Sequence, residues 1–526
     1  LPYHTKAAAK PRKRQAIDSE FFTRIYVVVM FAIFPLYLNA EKYIHLTQHK
    51  AKFFFVFTIL FLMSLPILYL ARFDGKKKLS GKTPPLKLAF EEWALIGYLL
   101  VTLLAAIFTP YPEFVFWGYT ERYDGLMTIL LYGGIFFAVS RYYNPRELDF
   151  LLFAISSMLV SAIGILQYYG VDPFALFPYD LLPGYTEKTI IFRTTLGNVD
   201  VVSSYLSVTI ALFGMLFVKY PGKYRPWYLA AAALNTYMLM VGGAEAGMAG
   251  VLAAFVIAIP YVMERYQEAG RLLFLGFVCA LTVFLFNLTN EPALSAKVLQ
   301  SRWLMLSLLL LALSGVVFFA GPRVKLHWKA SALRITGIVL IVILLLGGLA
   351  VIEVLGSAQT GGTLYDARQI LHGTLPDEAG SYRGYVWKNA FTLLRERTPA
   401  DQWLIGSGPD TFVNRFEPFR AETMAKFNQY YDKAHNEYLQ ILFCQGILGL
   451  AAYLLFLVGL FRKAAVRAFS DPLLFACSIA CLSYLVQAFF SISLPITAPL
   501  LWILLGVVHL LCRPKQAGAG GKAPRA

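Results

Sequence analysis

A histidine and an asparagine, His435 and Asn436, stand where a polar stretch gives way to a long apolar run, in YDKAHNEYLQILFCQGILGL. A neutral imidazole at such a boundary can take a proton from a hydroxyl near neutral pH. Simple solvation would also place it there. Asn436 can cap the helix that follows or orient a sugar. Upstream, SYRGYVWKNA sets Arg383 and Trp387 four residues apart, on one face of a helix. A guanidinium can grip a phosphate with a planar fork. The same spacing suits a surface arginine lying over an indole. In LIGSGPDTF, Gly406 to Gly408 could turn backbone N–H groups toward an anion, or make a plain turn before a helix. GYTERYDGL contributes Arg122, and IFRTTLGNVD contributes Arg193, followed by Gly197, Asn198 and Asp200. One arginine at such a place usually snorkels or ends a helix. Three from separate segments are the cations a lipid diphosphate would need.

The elements that must position these groups are apolar helices. The 526 residues are 58% hydrophobic and 15% charged, outside the range of soluble globular chains. Runs of about twenty apolar residues recur, each long enough to cross roughly 30 Å of hydrocarbon as a helix. They are continuous rather than alternating, which excludes a β-barrel. The expected fold is all-α and polytopic, with about fourteen spans. Their centres fall near Val29, Phe61, Leu100, Leu131, Met158, Ile210, Leu234, Ala254, Val278, Leu311, Ile341, Leu450, Leu482 and Leu504. The pair near Leu234 and Ala254 is separated only by GGAEAG. No signal-peptide cleavage pattern follows the basic start, so the first run is expected to be a retained helix.

Charge sets the expected orientation. With the N-terminus in the cytoplasm, the loops RFDGKKKLSGKTPPLK, RYYNPREL, KYPGKYR, ERYQEAGR, GPRVKLHWKASALR and FRKAAVRAFSD all fall inside, and all but ERYQEAGR are net positive. The net charge of +16 is thus assigned to loops and anionic lipid, not to nucleic acid. The expected organisation is a basic cytoplasmic segment 1–20, eleven spans over 21–354, a large external loop over 355–434, three spans over 435–512 and a basic cytoplasmic tail over 513–526. The loop carries nine basic and nine acidic residues with several aromatics, so it is expected to fold, mostly as short helices. The five cysteines, Cys279, Cys444, Cys477, Cys481 and Cys512, lie in or beside apolar runs and read as packing residues.

A phosphate-binding Walker loop, an HExxH zinc motif and a nucleophile elbow are all missing from the sequence, and no cytoplasmic segment is large enough to hold ATP. A primary pump is excluded on that ground. The order FRTTLGN, YRGYVWKNA, LIGSGPDTF, AHNEYLQILFCQGILGL resembles the O-antigen ligase-like superfamily, which includes ligases, polysaccharide polymerases and bacterial O-oligosaccharyltransferases. The resemblance is firmest from Arg383 to Phe461 and looser from Arg122 to Tyr205.

That resemblance implies a GT-C-like glycosyltransferase of the bacterial cytoplasmic membrane, with both termini cytoplasmic. The implied donor is a glycan on undecaprenyl pyrophosphate, and the acceptor is a lipid, glycan or protein hydroxyl at the outer face. It implies no metal and no nucleotide cofactor. The superfamily's loop arginine maps onto Arg383 and its loop histidine onto His435. A further arginine before Gly-Asn maps onto Arg193, and an R-x-x-G-L pattern onto Arg122. Glu245 stands where many members carry a Ser-Arg pair, and Val199-Asp200 where they carry Pro-Asn; these departures bear on the acceptor more than on the reaction. The expected mechanism is an inverting displacement. Arg383, Arg193 and Arg122 would clamp the diphosphate, with Trp387 and Asn436 as further substrate contacts. His435 would act as base, titrating near the ordinary histidine range or lower beside the arginines. The rival reading is a flippase or secondary transporter, which the scarcity of charges inside the spans disfavours.

Overall fold

The computed structural model describes residues 19–71, 88–119, 121–177, 192–290, 294–322 and 330–513. The basic N-terminal stretch before Ser19, the loop 72–87, most of the loop 321–334 and the tail beyond Arg513 lie outside the described residues. The protein is all-α. Among the described residues, strand is confined to the antiparallel two-residue pair Phe192–Arg193 and Gly197–Asn198.

A helix occupies each of the fourteen expected centres. Eleven of these helices are long and apolar enough to cross a membrane, by length and composition. Leu126–Tyr142 and Ala498–Cys512 are apolar but shorter. Arg225–Gly242 carries Arg225, Asn235 and Thr236 and is more polar than a typical span. Of the about fourteen expected spans, eleven thus meet the length and apolarity of a membrane crossing, and the helix at Leu234 is one of the three that do not. The multiple apolar helices make this a multi-pass membrane protein.

The axis of the bundle is Val199–Lys219, whose whole apolar window is buried. Arg225–Gly242, Glu245–Val262 and Pro472–Gln487 pack around it. At the crossing with Pro472–Gln487, a Cβ on Gly250 would lie 2.5 Å from the Ser483 carbonyl, so only glycine lets the backbones meet. Asn235 ties three helices together: its amide donates to Ser157 and Thr209 and its oxygen accepts from Ser161. The five cysteines are unpaired and sit in helices, four of them buried. At the periphery, the apolar window of Ile335–Ser357 has no buried residue, so this helix is largely exposed and touches the bundle chiefly where Gly337 meets Pro260.

The long segment before Glu437 folds into short helices, Thr363–Leu371, Ala379–Arg397, Ala400–Ile405, Phe412–Phe416 and Arg420–Phe427. Its core of Tyr385, Val386, Leu393, Leu394, Phe412 and Phe416 continues into Leu439, Phe443 and Cys444 at the start of Glu437–Arg467. The loop and the top of that helix therefore form one packed unit. The bundle has two distinct ends, called here the loop end and the opposite end. At the opposite end Lys463 and His509 meet Glu91, while Arg141, His509 and Arg513 meet Glu92.

Candidate active site

The turn before Glu437–Arg467 is held residue by residue. Asp432 accepts a two-point bond from Arg122, with Nε to Oδ2 at 2.7 Å and an η nitrogen to Oδ1 at 3.0 Å. Lys433, 2% exposed at its side chain, donates to Asp124 at 2.8 Å and pairs with Asp410 at 2.7 Å. Ala434 is gripped at both backbone groups: its N–H donates to Gln440 Oε1 at 3.0 Å and its carbonyl accepts from Trp387 Nε1 at 2.9 Å. Asn436 caps the helix, its Oδ1 accepting from the Leu439 N–H at 3.0 Å. Between them His435 sits at φ 50°, the left-handed region that a β-carbon disfavours. Its ring is half-buried, and Nδ1 is covered without a hydrogen-bond partner.

Arg383 arrives by a second strained turn. Gly380, Ser381 and Tyr382 all have φ between 59° and 69°, so the chain reverses just before the helix that carries Arg383. Stacking of Tyr382 on Phe427, at 4.3 Å between centroids, stabilises the reversal. Arg383 reaches Asp200 at 3.6 Å, a loose contact on the first turn of the axial helix. Its Nε is buried and makes no hydrogen bond. A guanidinium held this way keeps donors in hand for an anion.

The other sequence candidates take different places. Arg122 is committed to Asp432, so it braces the histidine turn. Trp387 spends its N–H on Ala434 and packs edge-on against Phe489 at 5.7 Å; it too positions the turn. Arg193, 2% exposed, lies on the two-residue strand pair with its guanidinium 5.1 Å from the Tyr168 ring. The hairpin holding Arg193 runs through Asn198 into Asp200, the partner of Arg383, and Asn198 caps that helix by accepting the Asp200 N–H.

Gly406 to Gly408 do not form an anion nest. Gly446, at φ 68° and ψ −173°, breaks the helix Glu437–Arg467 and frees carbonyls in the turn above. The N–H groups of Ser407 and Gly408 donate to two of them, Phe443 at 3.1 Å and Cys444 at 3.0 Å. A Cβ on Gly406 would lie 2.3 Å from the Cys444 backbone, and one on Gly446 2.4 Å from the Leu404 carbonyl. These glycines let the loop dock into a bent helix.

Burial is the largest influence on His435, and the nearby Arg383 and Arg122 add to it; Asp200 and Asp432 oppose. The ring's pKa falls to about 4. The ordinary histidine range is thereby replaced by a lower one, and the ring is neutral at pH 7. Burial alone would lower Lys433, but Asp124 and Asp410 outweigh it and hold the ammonium well above its usual value. Burial raises Asp124 despite that ammonium. The arrangement is thus a neutral base beside an incompletely satisfied guanidinium, both fixed by ion pairs between distant segments.

Residues 292–454 match the O-Antigen ligase family. The match covers under a third of the chain and contains Arg383, Trp387, Lys433, His435 and Asn436. Arg122 and Arg193 lie before it. It agrees with the resemblance drawn from the motifs and supports glycosyl transfer of the O-antigen ligase and polymerase kind, with lipid-linked glycan and acceptor substrates in general. No curated protein matches the chain.

Lys433, Asp124, Asp410, Asp432 and Gln440 complete the site and were not singled out from sequence; Asp200 was noted there only as following Arg193 and as a departure from the family pattern. One signal was available: Arg122, Arg193 and Lys433 each share a short segment with an acid, in ERYDG, RTTLGNVD and YDKAHN.

Proposed function

We propose that the protein transfers a glycan from undecaprenyl pyrophosphate to an acceptor hydroxyl at the outer face of the bacterial cytoplasmic membrane. The observation that carries the reading is the pairing of an unpartnered guanidinium nitrogen on Arg383 with an unpartnered, neutral His435. Arg383 meets the diphosphate as its charge builds, and Arg193 offers a second cation from the adjoining hairpin. Donors aimed at developing charge supply roughly 2.7–4 kcal/mol each. His435 takes the acceptor proton as the hydroxyl attacks the anomeric carbon. The carbon–oxygen bond to the diphosphate breaks, and the configuration inverts. The loop end faces outward and both termini face the cytoplasm.

The test is product analysis. Purified protein is given undecaprenyl-pyrophosphate-linked glycan with lipid, glycan or protein acceptors, and masses are measured. A new glycosyl–oxygen bond with release of undecaprenyl pyrophosphate is expected. Movement of the donor across the bilayer without a new bond would replace the proposal with the transporter reading. Orientation is tested with a membrane-impermeant thiol reagent at Arg395→Cys, whose native side chain is 85% exposed. Labelling only after membrane disruption would reverse the orientation.

A further inference from the structure

Behind His435 lies a polar chamber that the transfer mechanism does not use. Asp124, Asp410, Glu437, Gln445 and Tyr132 line a cavity of about 30 Å³. That is room for a water molecule. Two of its walls call for one: Gln445 and Tyr132, 3% and 4% exposed, each have a buried polar atom with no hydrogen-bond partner. A small crevice containing His435 adjoins the chamber, and Glu437, Gln440 and Ser493 line both. Glu437 is partly exposed and accepts the Ser493 backbone N–H.

We infer that this chamber receives the acceptor's proton from His435 through Glu437 and water. The inference rests on His435 being the base. Three carboxyl groups face one ammonium, Lys433, in a site largely closed to solvent. Such an excess of negative charge favours holding protons. His435 is the opposite case, since its imidazolium is disfavoured beside Arg383 and Arg122. A base that cannot keep a proton needs somewhere to send it. The acceptor O–H bond breaks, the proton moves to His435, and His435 returns to neutral as Glu437 gives the proton it already holds to the chamber water and takes the ring's proton in its place. The partial exposure of Glu437 then lets the proton leave to bulk water. The other groups facing this path are Tyr98, Tyr453 and Cys444 on the cavity wall, Asp432 and Arg122 beside the turn, and Tyr484, which bonds Ser493 at 2.7 Å.

The test combines kinetics with infrared spectroscopy of wild type and Glu437→Gln in detergent or nanodiscs. The variant is expected to lose kcat by roughly tenfold to a hundredfold, with acceptor KM and donor affinity unchanged. Infrared difference spectra across a pH titration should show a protonated carboxyl in the wild type that disappears in the variant, whether or not transfer occurs. Full kcat in Glu437→Gln would overturn the relay, as would loss of donor binding in place of kcat. If the variant fails to fold, a wild-type spectrum without a protonated buried carboxyl overturns it equally. Absence of transfer by wild type with that carboxyl present would sink the glycosyl-transfer reading and leave the chamber standing.

Discussion

The two ends of the bundle treat charge differently. At the opposite end, Glu91 and Glu92 lie side by side on one helix and are met by Lys463, Arg141, Arg513 and His509 from three other helical segments. Side chains there join helix to helix. At the loop end, Arg122–Asp432, Lys433–Asp124, Lys433–Asp410 and Arg383–Asp200 join loop to loop or loop to helix tip. Among the described residues, nine of the eleven non-glycine residues with left-handed φ lie in connections of the loop end, and the other two, Ser381 and Tyr382, in the kinked first turn of Ala379–Arg397 at that same end. Each such residue costs of order 1–3 kcal/mol unless its surroundings over-determine it. Among the described residues, left-handed backbone outside glycine is confined to the loop end, and most of the unsatisfied buried polar atoms lie there too. That asymmetry singles out the same end as the proposed site, independently of any motif.

Substitutions at the two ends should therefore differ in kind. The largest effects belong to His435→Ala and Arg383→Ala, each lowering single-turnover transfer by roughly two to four orders of magnitude. His435→Ala should leave donor binding largely intact, while Arg383→Ala should weaken it. Arg383→Lys should recover little, because an ammonium lacks the fork. Equal rates for the Lys variant and wild type would reduce Arg383 to a simple charge. Next comes Lys433→Met, which leaves Asp124 and Asp410 without their cation. Breaking such a buried pair costs about 3–5 kcal/mol. Thermal unfolding should show the loop end melting first, with transfer lost before helix content falls. If the whole bundle melts as one, the two ends are not separable.

Gly446→Ala should come third. At φ 68° and ψ −173° the backbone is open essentially to glycine alone, and the added methyl meets the Leu404 carbonyl. Limited proteolysis should find Ala400–Ile405 undocked, and an unchanged digest would argue that the bend is not required.

A subtler probe is pH. Only neutral His435 accepts a proton, so lowering pH through its pKa removes the active form. With that value at about 4, transfer should be flat between roughly pH 6 and 8 and fall only in more acid solution. Arg122→Gln removes a repelling cation and releases Asp432, so its acid limb should move to higher pH. A limb that stays put would mean that Arg122 does not act on His435. The smallest effect on rate is expected from Glu92→Gln at the opposite end, where melting temperature should drop while turnover per folded molecule stays within about twofold. A large rate loss there would couple the two ends.

Hydropathy made the helices legible, because a lipid-crossing helix advertises itself in continuous apolar runs. It could not show that Arg225–Gly242 adds buried Asn235 contacts to its apolar face of Tyr228, Ala231, Ala232, Met238 and Leu239. The cap at Asn436 was legible because its residue type and place before an apolar run favour it, and His435 and Arg383 stood out because their residue types suit the proposed chemistry. The roles of Trp387 and Arg122 were not: an indole N–H or a guanidinium has several uses, and only the partner decides. Ala434 and Asp432 are those partners, and they come from segments far away in the chain. The glycines at Gly406 and Gly408 suggested an anion site for the same reason; the bend at Gly446 that claims their N–H groups leaves no trace in local composition.

That bend also sets the height of the site. A straight helix from Glu437 to Arg467, 31 residues, would be about 46 Å long, well beyond roughly 30 Å of hydrocarbon. The part from Ile447 onward rises about 31 Å, a near match to the slab. The hinge divides one over-long helix into a spanning rod and a short mast. His435 and its neighbours ride at the top of the mast, above the rod; in the proposed reading that is the layer where lipid headgroups meet water. A donor anchored by its lipid tail could then present its phosphates at that height without leaving the bilayer.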